Sequence, residues 1–276
     1  MDIPKRITTS HKGEMGKVLI VSGSYKYYGS PILCALGAEV AGSDLIILYL
    51  PEEHKNTAKN YGLNFFLNSF IHSILSLKDV GMIIDAAKHN NAMIIGPGLG
   101  NDQNTKKAVI KILSDITIPT VIDAEALFPE ILNIKRSAQW ILTPHHSEFT
   151  RMFNTLPTPE NVQAMARKHG FTLVVKGHVD IISNGQELYL NKTGCPEMRV
   201  GGTGDVLAGI IGSFIAQKIE PYQASCSAMY HYGKAGEQLA TQQWSFSSYD
   251  LAKYFPSYLS FHKEISFTGF KMTNKQ

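Results

Sequence analysis

Short apolar runs recur along this chain at intervals too regular to ignore: KVLIV (17–21), LIILYL (45–50, ended by Pro51), AMII (92–95), TVI (120–122), WIL (140–142) and TLVV (172–175). Each is short for a helix and apolar on both faces, as strands are when buried inside a parallel sheet. Between them lie stretches with helical spacing, at 31–42, about 102–114, from about Ser147, and 159–168. Pro31 is expected at a first helical position. A strand around 64–70 sits between two further helical stretches. DIIS (180–183) and ELYLN (187–191) read as a hairpin across NGQ, and helices dominate from Asp205 onward. Such alternation predicts an α/β fold: a central, mainly parallel sheet with helices on both faces. No linker, repeat or low-complexity tract divides the chain, so residues 1–276 are expected to form a single domain.

Composition narrows the function classes. With 44% hydrophobic and 18% charged residues the chain can build a large core rather than remain disordered. The net charge of +3, without a dense Lys/Arg run, argues against a nucleic-acid partner. Cys34, Cys195 and Cys226 are far apart and lack zinc-ligand spacing, which suits reduced thiols. The N-terminal stretch MDIPKRITTSHKG is polar, and the longest near-continuous apolar run, Val206–Ala216, falls short of the ~20 residues a spanning helix needs. The expectation is a cytoplasmic protein with no membrane contact.

In open α/β sheets, ligands sit beyond the carboxyl ends of the strands, and the unusual residues follow the strands here. GGTGD (201–205) precedes VLAGIIGSFIA, a run with apolar residues on one helical face and small residues (Ala208, Gly209, Gly212, Ser213) suited to close packing. Its glycines would open the first N–H groups of a helix to a phosphate, and Asp205, kept ionised by the dipole, would accept a hydrogen bond from a substrate hydroxyl. A capping aspartate is the alternative. GPGLG (96–100) is not the G-x-G-x-x-G fingerprint and reads equally as a ligand loop or a plain turn. TPHHSEF (143–149) offers His145, His146 and Glu148 without a third ligand in range, or else a helix start capped by Ser147 or Glu148. Lys176 in KGHVD meets phosphate charge or is solvated; Asp123 and Glu125 in DAEAL suit a metal-bound water or a cap. No serine sits in a nucleophile elbow, and no Cys/His pair is locally arranged. The pattern favours phosphate handling by a nucleotide-using enzyme, with Asp205 the catalytic candidate.

HKGEMGKVLIVSGS, YYGSPILCALGAEVAGSDL, IIGPGLG, VIDAEAL, ILTPHHSE, VVKGHVD and GGTGDVLAG occur in this order. Together, from His11 to Leu259, they resemble the NAD(P)H-hydrate dehydratases, whose fold is similar to ribokinase. The resemblance implies dehydration of the S epimer of NADHX and NADPHX to NADH and NADPH. The ring hydroxyl is phosphorylated by a nucleotide and leaves as phosphate. It implies Asp205 as base; Gly202, Thr203 and Gly204 as the anion hole, Gly204 also touching nucleotide; and Lys176, Gly177, His178, Val179 and Asp180 along the nucleotide. Gly29, Ser30, Pro31, Gly98, His145 and Asp205 would hold the hydrated dinucleotide. It further implies Mg2+ bridging the donor phosphates rather than a protein-held metal, ADP as donor on the GGTGD spelling with ATP possible, a homotetramer, and a separate epimerase, since this length leaves no room for an epimerase domain. Pro31, Asp180, Cys195, Glu197, Arg199 and Val200 depart from the family pattern; Asp180 could repel a nucleotide phosphate, and Arg199 either adds a phosphate contact or crowds the loop. The competing readings are a hydroxymethylpyrimidine or thiazole kinase of the same fold, and a nucleotide-binding protein without activity.

Overall fold

A computed structural model of the chain describes residues 3–4, 11 and 13–269, with side chains up to 261. Most of the polar N-terminal stretch, including Lys12 of the HKG motif, lies outside the described residues. In chain order the elements are β1 (Lys17–Val21), α1 (Gly29–Val40), β2 (Leu45–Leu50), α2 (Lys55–Lys59), β3 (Phe65–Ser69), α3 (Val80–Ala87), β4 (Ala92–Ile95), α4 (Gln103–Asp115), β5 (Thr120–Ile122) and β6 (Trp140–Leu142). Then follow α5 (His146–Phe153), α6 (Pro159–His169), β7 (Thr172–Val175), β8 (Asp180–Ser183), β9 (Leu188–Asn191), α7 (Thr203–Ala216), α8 (Pro221–Ala240) and α9 (Ser248–Gly269).

The strands form one sheet in the order β3-β2-β1-β4-β5-β6-β7-β8-β9. Pairing is parallel from β3 through β7 and antiparallel for β8 and β9. Two cores explain the all-apolar strands. Val18 and Ile20 of β1 face α1, α7, α8 and α9, whereas Leu19 and Val21 face the residues of α3 through α6. The inner strands β1 and β4 through β7 therefore bury both faces, whereas the edge strands β3 and β9 leave residues such as Phe66 and Leu190 exposed. Strand order reverses between β1 and β4, which opens a crevice beyond their carboxyl ends where open α/β sheets take ligands.

Two helix starts differ from expectation in detail. α1 begins at Gly29, so Pro31 is its third residue rather than its first. The change is tolerated because none of the first four N–H groups of a helix has an intrahelical partner. α7 begins at Thr203, with Gly202 as its N-cap in the left-handed region at φ 92°. Val206 through Ala216 are all buried, and the close packing expected of the small residues is present. A Cβ on Gly209 would stand 2.1 Å from the Cys34 carbonyl oxygen of α1, and one on Gly37 the same 2.1 Å from that of Val206. Gly209→Ala is accordingly expected to lower stability by about 1–3 kcal/mol, read as a fall in the thermal unfolding midpoint. Among the described residues no helix is long and apolar enough to cross a membrane.

Candidate functional site

The start of α7 is the centre of the arrangement. Gly202, Thr203, Gly204 and Asp205 occupy the N-cap and first three positions, where the free N–H groups and the positive dipole end lie. The Thr203 hydroxyl donates to the Val200 carbonyl at 3.0 Å and fixes the entering loop.

Lys176 reaches this helix start from the end of β7. Its ammonium donates to Asp123 Oδ1 at 2.8 Å. A Cβ on Gly204 would lie 3.4 Å from the same nitrogen, so the cation stands directly beside the first turn of α7. Asp123, 1% exposed, also accepts the Thr143 hydroxyl at 2.7 Å on the same oxygen. Burial disfavours the Lys176 ammonium, but the nearby Asp123, with Glu148 and Asp205, outweighs it and lifts the group above its ordinary range. A cation held over the positive end of a helix dipole makes a site for an anion. The alternative of a freely solvated lysine is excluded: 24% of its side chain is exposed.

Asp205 does not behave as the dipole alone suggests. Burial first, then the Asp123 charge and, less strongly, Glu125, push its carboxyl up to about 7, against the Ser30 hydrogen bond and Lys176, which pull it down. The expectation of a permanently ionised carboxylate is thus corrected. Near neutral pH this group is poised to take or give a proton, the range in which a general base works best.

Ser30 connects Asp205 to the crevice between β1 and β4. Gly98, at φ 68°, lies against it: a Cβ there would meet the Ser30 and Tyr27 Cβ atoms at 2.9 Å. The Gly98 N–H donates to Glu125 Oε2 at 3.0 Å, and its carbonyl accepts the Ser24 hydroxyl at 2.8 Å. Gly29, Ser30, Pro31 and Gly98 are therefore brought together at the topological switch point. His145 bridges Lys176 in the backbone ladder and caps α5. Its Nδ1 accepts from the Ser147 and Glu148 N–H groups while Glu148 accepts the His145 N–H, so the cap is His145 in a reciprocal box with Glu148, not Ser147.

A pocket of about 400 Å3 opens on the other side of Lys176. It is lined by Lys176, Gly177, His178 and Asp180, by Thr203 and Gly204, by the segment from Asn191 to Arg199 except Glu197, and by Leu207 with Met229, Tyr232 and Gly233 of α8. Val179 and Gly202 are not among its lining residues, nor are Gly29, Ser30, Pro31, Gly98 and His145. Asp180 is engaged by its own loop. Its Oδ1 accepts the Gly177 N–H and its Oδ2 the Asn191 side chain, both at 2.9 Å, and burial raises its carboxyl despite those bonds. Both oxygens of this pocket-lining carboxyl are thus held, one by its own loop and one by Asn191. Arg199 lines the pocket with no ion-pair partner among the described residues, whereas Glu197 hydrogen-bonds the Cys195 thiol, which burial and that contact push up to about 11. The described residues contain no cluster of three His, Cys, Asp or Glu side chains able to hold a metal.

Sequence reasoning did not find the Thr143–Asp123–Lys176 chain or Tyr232. Asp123, Lys176 and the segment from Thr143 were each singled out, all directly after strands, but nothing along the chain showed that Thr143 and Lys176 meet on one oxygen of Asp123.

A family model described as NAD(P)H-hydrate dehydratase matches residues 18–257. The ADP-dependent (S)-NAD(P)H-hydrate dehydratase of Nitrosopumilus maritimus is 33% identical over 243 residues, covering 85% of each chain. The bifunctional NAD(P)H-hydrate repair enzyme of Hyperthermus butylicus is 34% identical over 91% of this chain, which spans 50% of that longer protein. The crystal structure of the ADP/ATP-dependent NAD(P)H-hydrate dehydratase from Bacillus subtilis, co-crystallised with ATP/Mg2+, superposes with a TM-score of 0.81 at 26% identity over 94% of both chains. The fold is ribokinase-like.

Proposed function

Because this chain belongs to the NAD(P)H-hydrate dehydratase family, we propose that it is a lyase that uses ADP to dehydrate the S epimer of NADHX and NADPHX, restoring NADH and NADPH. One observation carries this reading. Lys176, paired with Asp123 at 2.8 Å, stands beside Gly204 at the start of α7, and Asp205 of the same first turn accepts a hydrogen bond from Ser30 of the crevice, its carboxyl pushed up to about 7 by burial. A hydroxyl presented from the crevice meets a phosphoryl group presented at α7 across one proton acceptor. Asp205 takes the hydroxyl proton as that oxygen bonds to the terminal phosphorus of ADP, and AMP leaves with the electrons of the broken P–O bond. The ring carbon–oxygen bond then breaks, phosphate departs with its electrons, and the neighbouring ring carbon loses a proton as the carbon–carbon double bond of the reduced nicotinamide forms. Hydroxide leaves poorly and phosphate well, so a kinase-like centre serves an elimination.

ADP is the donor favoured here, on the name of the Nitrosopumilus relative and the GGTGD spelling. Magnesium is the ion proposed on the donor phosphates, supported by the Bacillus subtilis enzyme co-crystallised with ATP/Mg2+ and by the tendency of this ion to keep waters and phosphate oxygens as ligands. It would neutralise phosphate charge, as Lys176 does from the protein side. The bifunctional relative supports pairing with a separate epimerase activity. A cytoplasmic homotetramer of single-domain chains completes the proposal, tested by size-exclusion with light scattering.

The direct assay mixes the protein with S-NADHX, magnesium and either ADP or ATP. Return of reduced-nicotinamide absorbance is expected, faster with ADP. No recovery with either donor overturns the reading, and phosphorylation of hydroxymethylpyrimidine or hydroxyethylthiazole supplied in a parallel reaction would favour the kinase alternative.

A further inference from the structure

Tyr232 is the pocket-lining residue whose buried side-chain hydroxyl is without a hydrogen-bond partner among the described residues, and the reaction above leaves it unused. It lies on α8 and lines the pocket of about 400 Å3 together with Leu207 and Met229, while Lys176, Thr203 and Gly204 form the polar part of the same wall. The side chain is 2% exposed, and its hydroxyl has no hydrogen-bond partner among the described residues. Its ring is held edge-on against Phe255 at 6.0 Å. A buried hydroxyl without a partner is a net loss to the fold, and phenylalanine would fill the same space without it. Such orphans are few in folded proteins, and a functional partner is among their explanations. Burial, and next the Asp205 charge, keep the phenol protonated, so it can both donate and accept across the physiological range.

The two parts of the wall suit two parts of one ligand. The ammonium of Lys176 and the first amides of α7 take phosphate, whereas Leu207, Met229 and the Tyr232 ring offer an apolar surface for a flat base. A base buried against apolar side chains needs a few placed polar groups to fix its orientation. We infer that Tyr232 reads the donor nucleotide, its hydroxyl making the hydrogen bond that orients the purine base while the phosphates run to Lys176 and Gly204. The inference rests on the proposed use of a nucleoside diphosphate.

The test is Tyr232→Phe, followed by calorimetric titration with ADP, AMP and inorganic pyrophosphate. One hydrogen bond corresponds to a loss of about five- to tenfold in affinity, expected for ADP and AMP and absent for pyrophosphate. The ligand-free melting temperature is expected to rise, because the orphan hydroxyl is gone. ADP affinity within twofold of the wild type, an equal loss for pyrophosphate, or a lower ligand-free melting temperature would each overturn the inference. Dehydration assays on the wild-type protein stand apart: binding of ADP without restored reduced nicotinamide would sink the functional reading and leave the Tyr232 result intact.

Discussion

Asp205→Asn is expected to lower turnover by about two to four orders of magnitude, the range for losing a positioned base, while ADP affinity stays within severalfold. The asparagine keeps the shape and the Ser30 contact but cannot take a proton. Near-normal turnover in this variant would refute the base assignment. The wild-type pH profile follows from the same group. With a carboxyl at about 7, kcat/KM rises as pH increases through about 7 and is lost below it. Stability runs the opposite way. The folded state holds on Asp205 a proton that the unfolded chain has already released between about pH 4 and pH 7. That contribution is full below the unfolded value and fades as pH rises through the folded one. The Asn variant should therefore melt higher than the wild type, most visibly above pH 7, although it is nearly inactive.

Lys176→Met is the second large effect. It removes the cation beside Gly204 and leaves Asp123, 1% exposed, with only the Thr143 hydroxyl. Breaking a buried ion pair from one side destabilises by about 3–5 kcal/mol. Because 24% of the lysine side chain is exposed, a value near the lower end, about 3 kcal/mol, is expected from denaturant unfolding. ADP binding should fall with it, since the helix start loses its ammonium. Adding Asp123→Asn to Lys176→Met neutralises the stranded charge and should restore most of the stability without restoring ADP binding. If the double variant is no more stable than the single one, the pair is not what holds this part of the site together.

The sheet was legible because its physics is local: strands covered on both faces must be apolar at successive positions, as KVLIV and LIILYL are. GGTGD was legible for a similar reason, since a helix start needs only its own glycines to expose its amides. Asp123 and Lys176 were each visible, but their pairing spans 53 residues and depends on β5 and β7 being brought near one another by the sheet. The protonation of Asp205 was misjudged because the dipole was the only field readable along the chain, whereas the dominant influences are burial and Asp123. His145 was missed as the cap because histidine is an uncommon choice there beside Ser147. Tyr232 gave no signal at all, as one aromatic among the packed residues of a long helix.

The near-contact of α1 and α7 at Gly37 and Gly209 reaches beyond stability. Ser30 opens one of these helices and Asp205 the other, so the spacing between acceptor-side and donor-side groups is dictated by backbone meeting backbone within about two turns of Ser30 and one of Asp205. The centre thus works as a fixed gauge: neither helix can slide without carrying a reacting group out of alignment. A bulkier residue wedged remotely between the two helices would therefore surface first as misdirected chemistry, with phosphoryl transfer to water outrunning transfer to the hydrated ring, even in protein that remains fully folded.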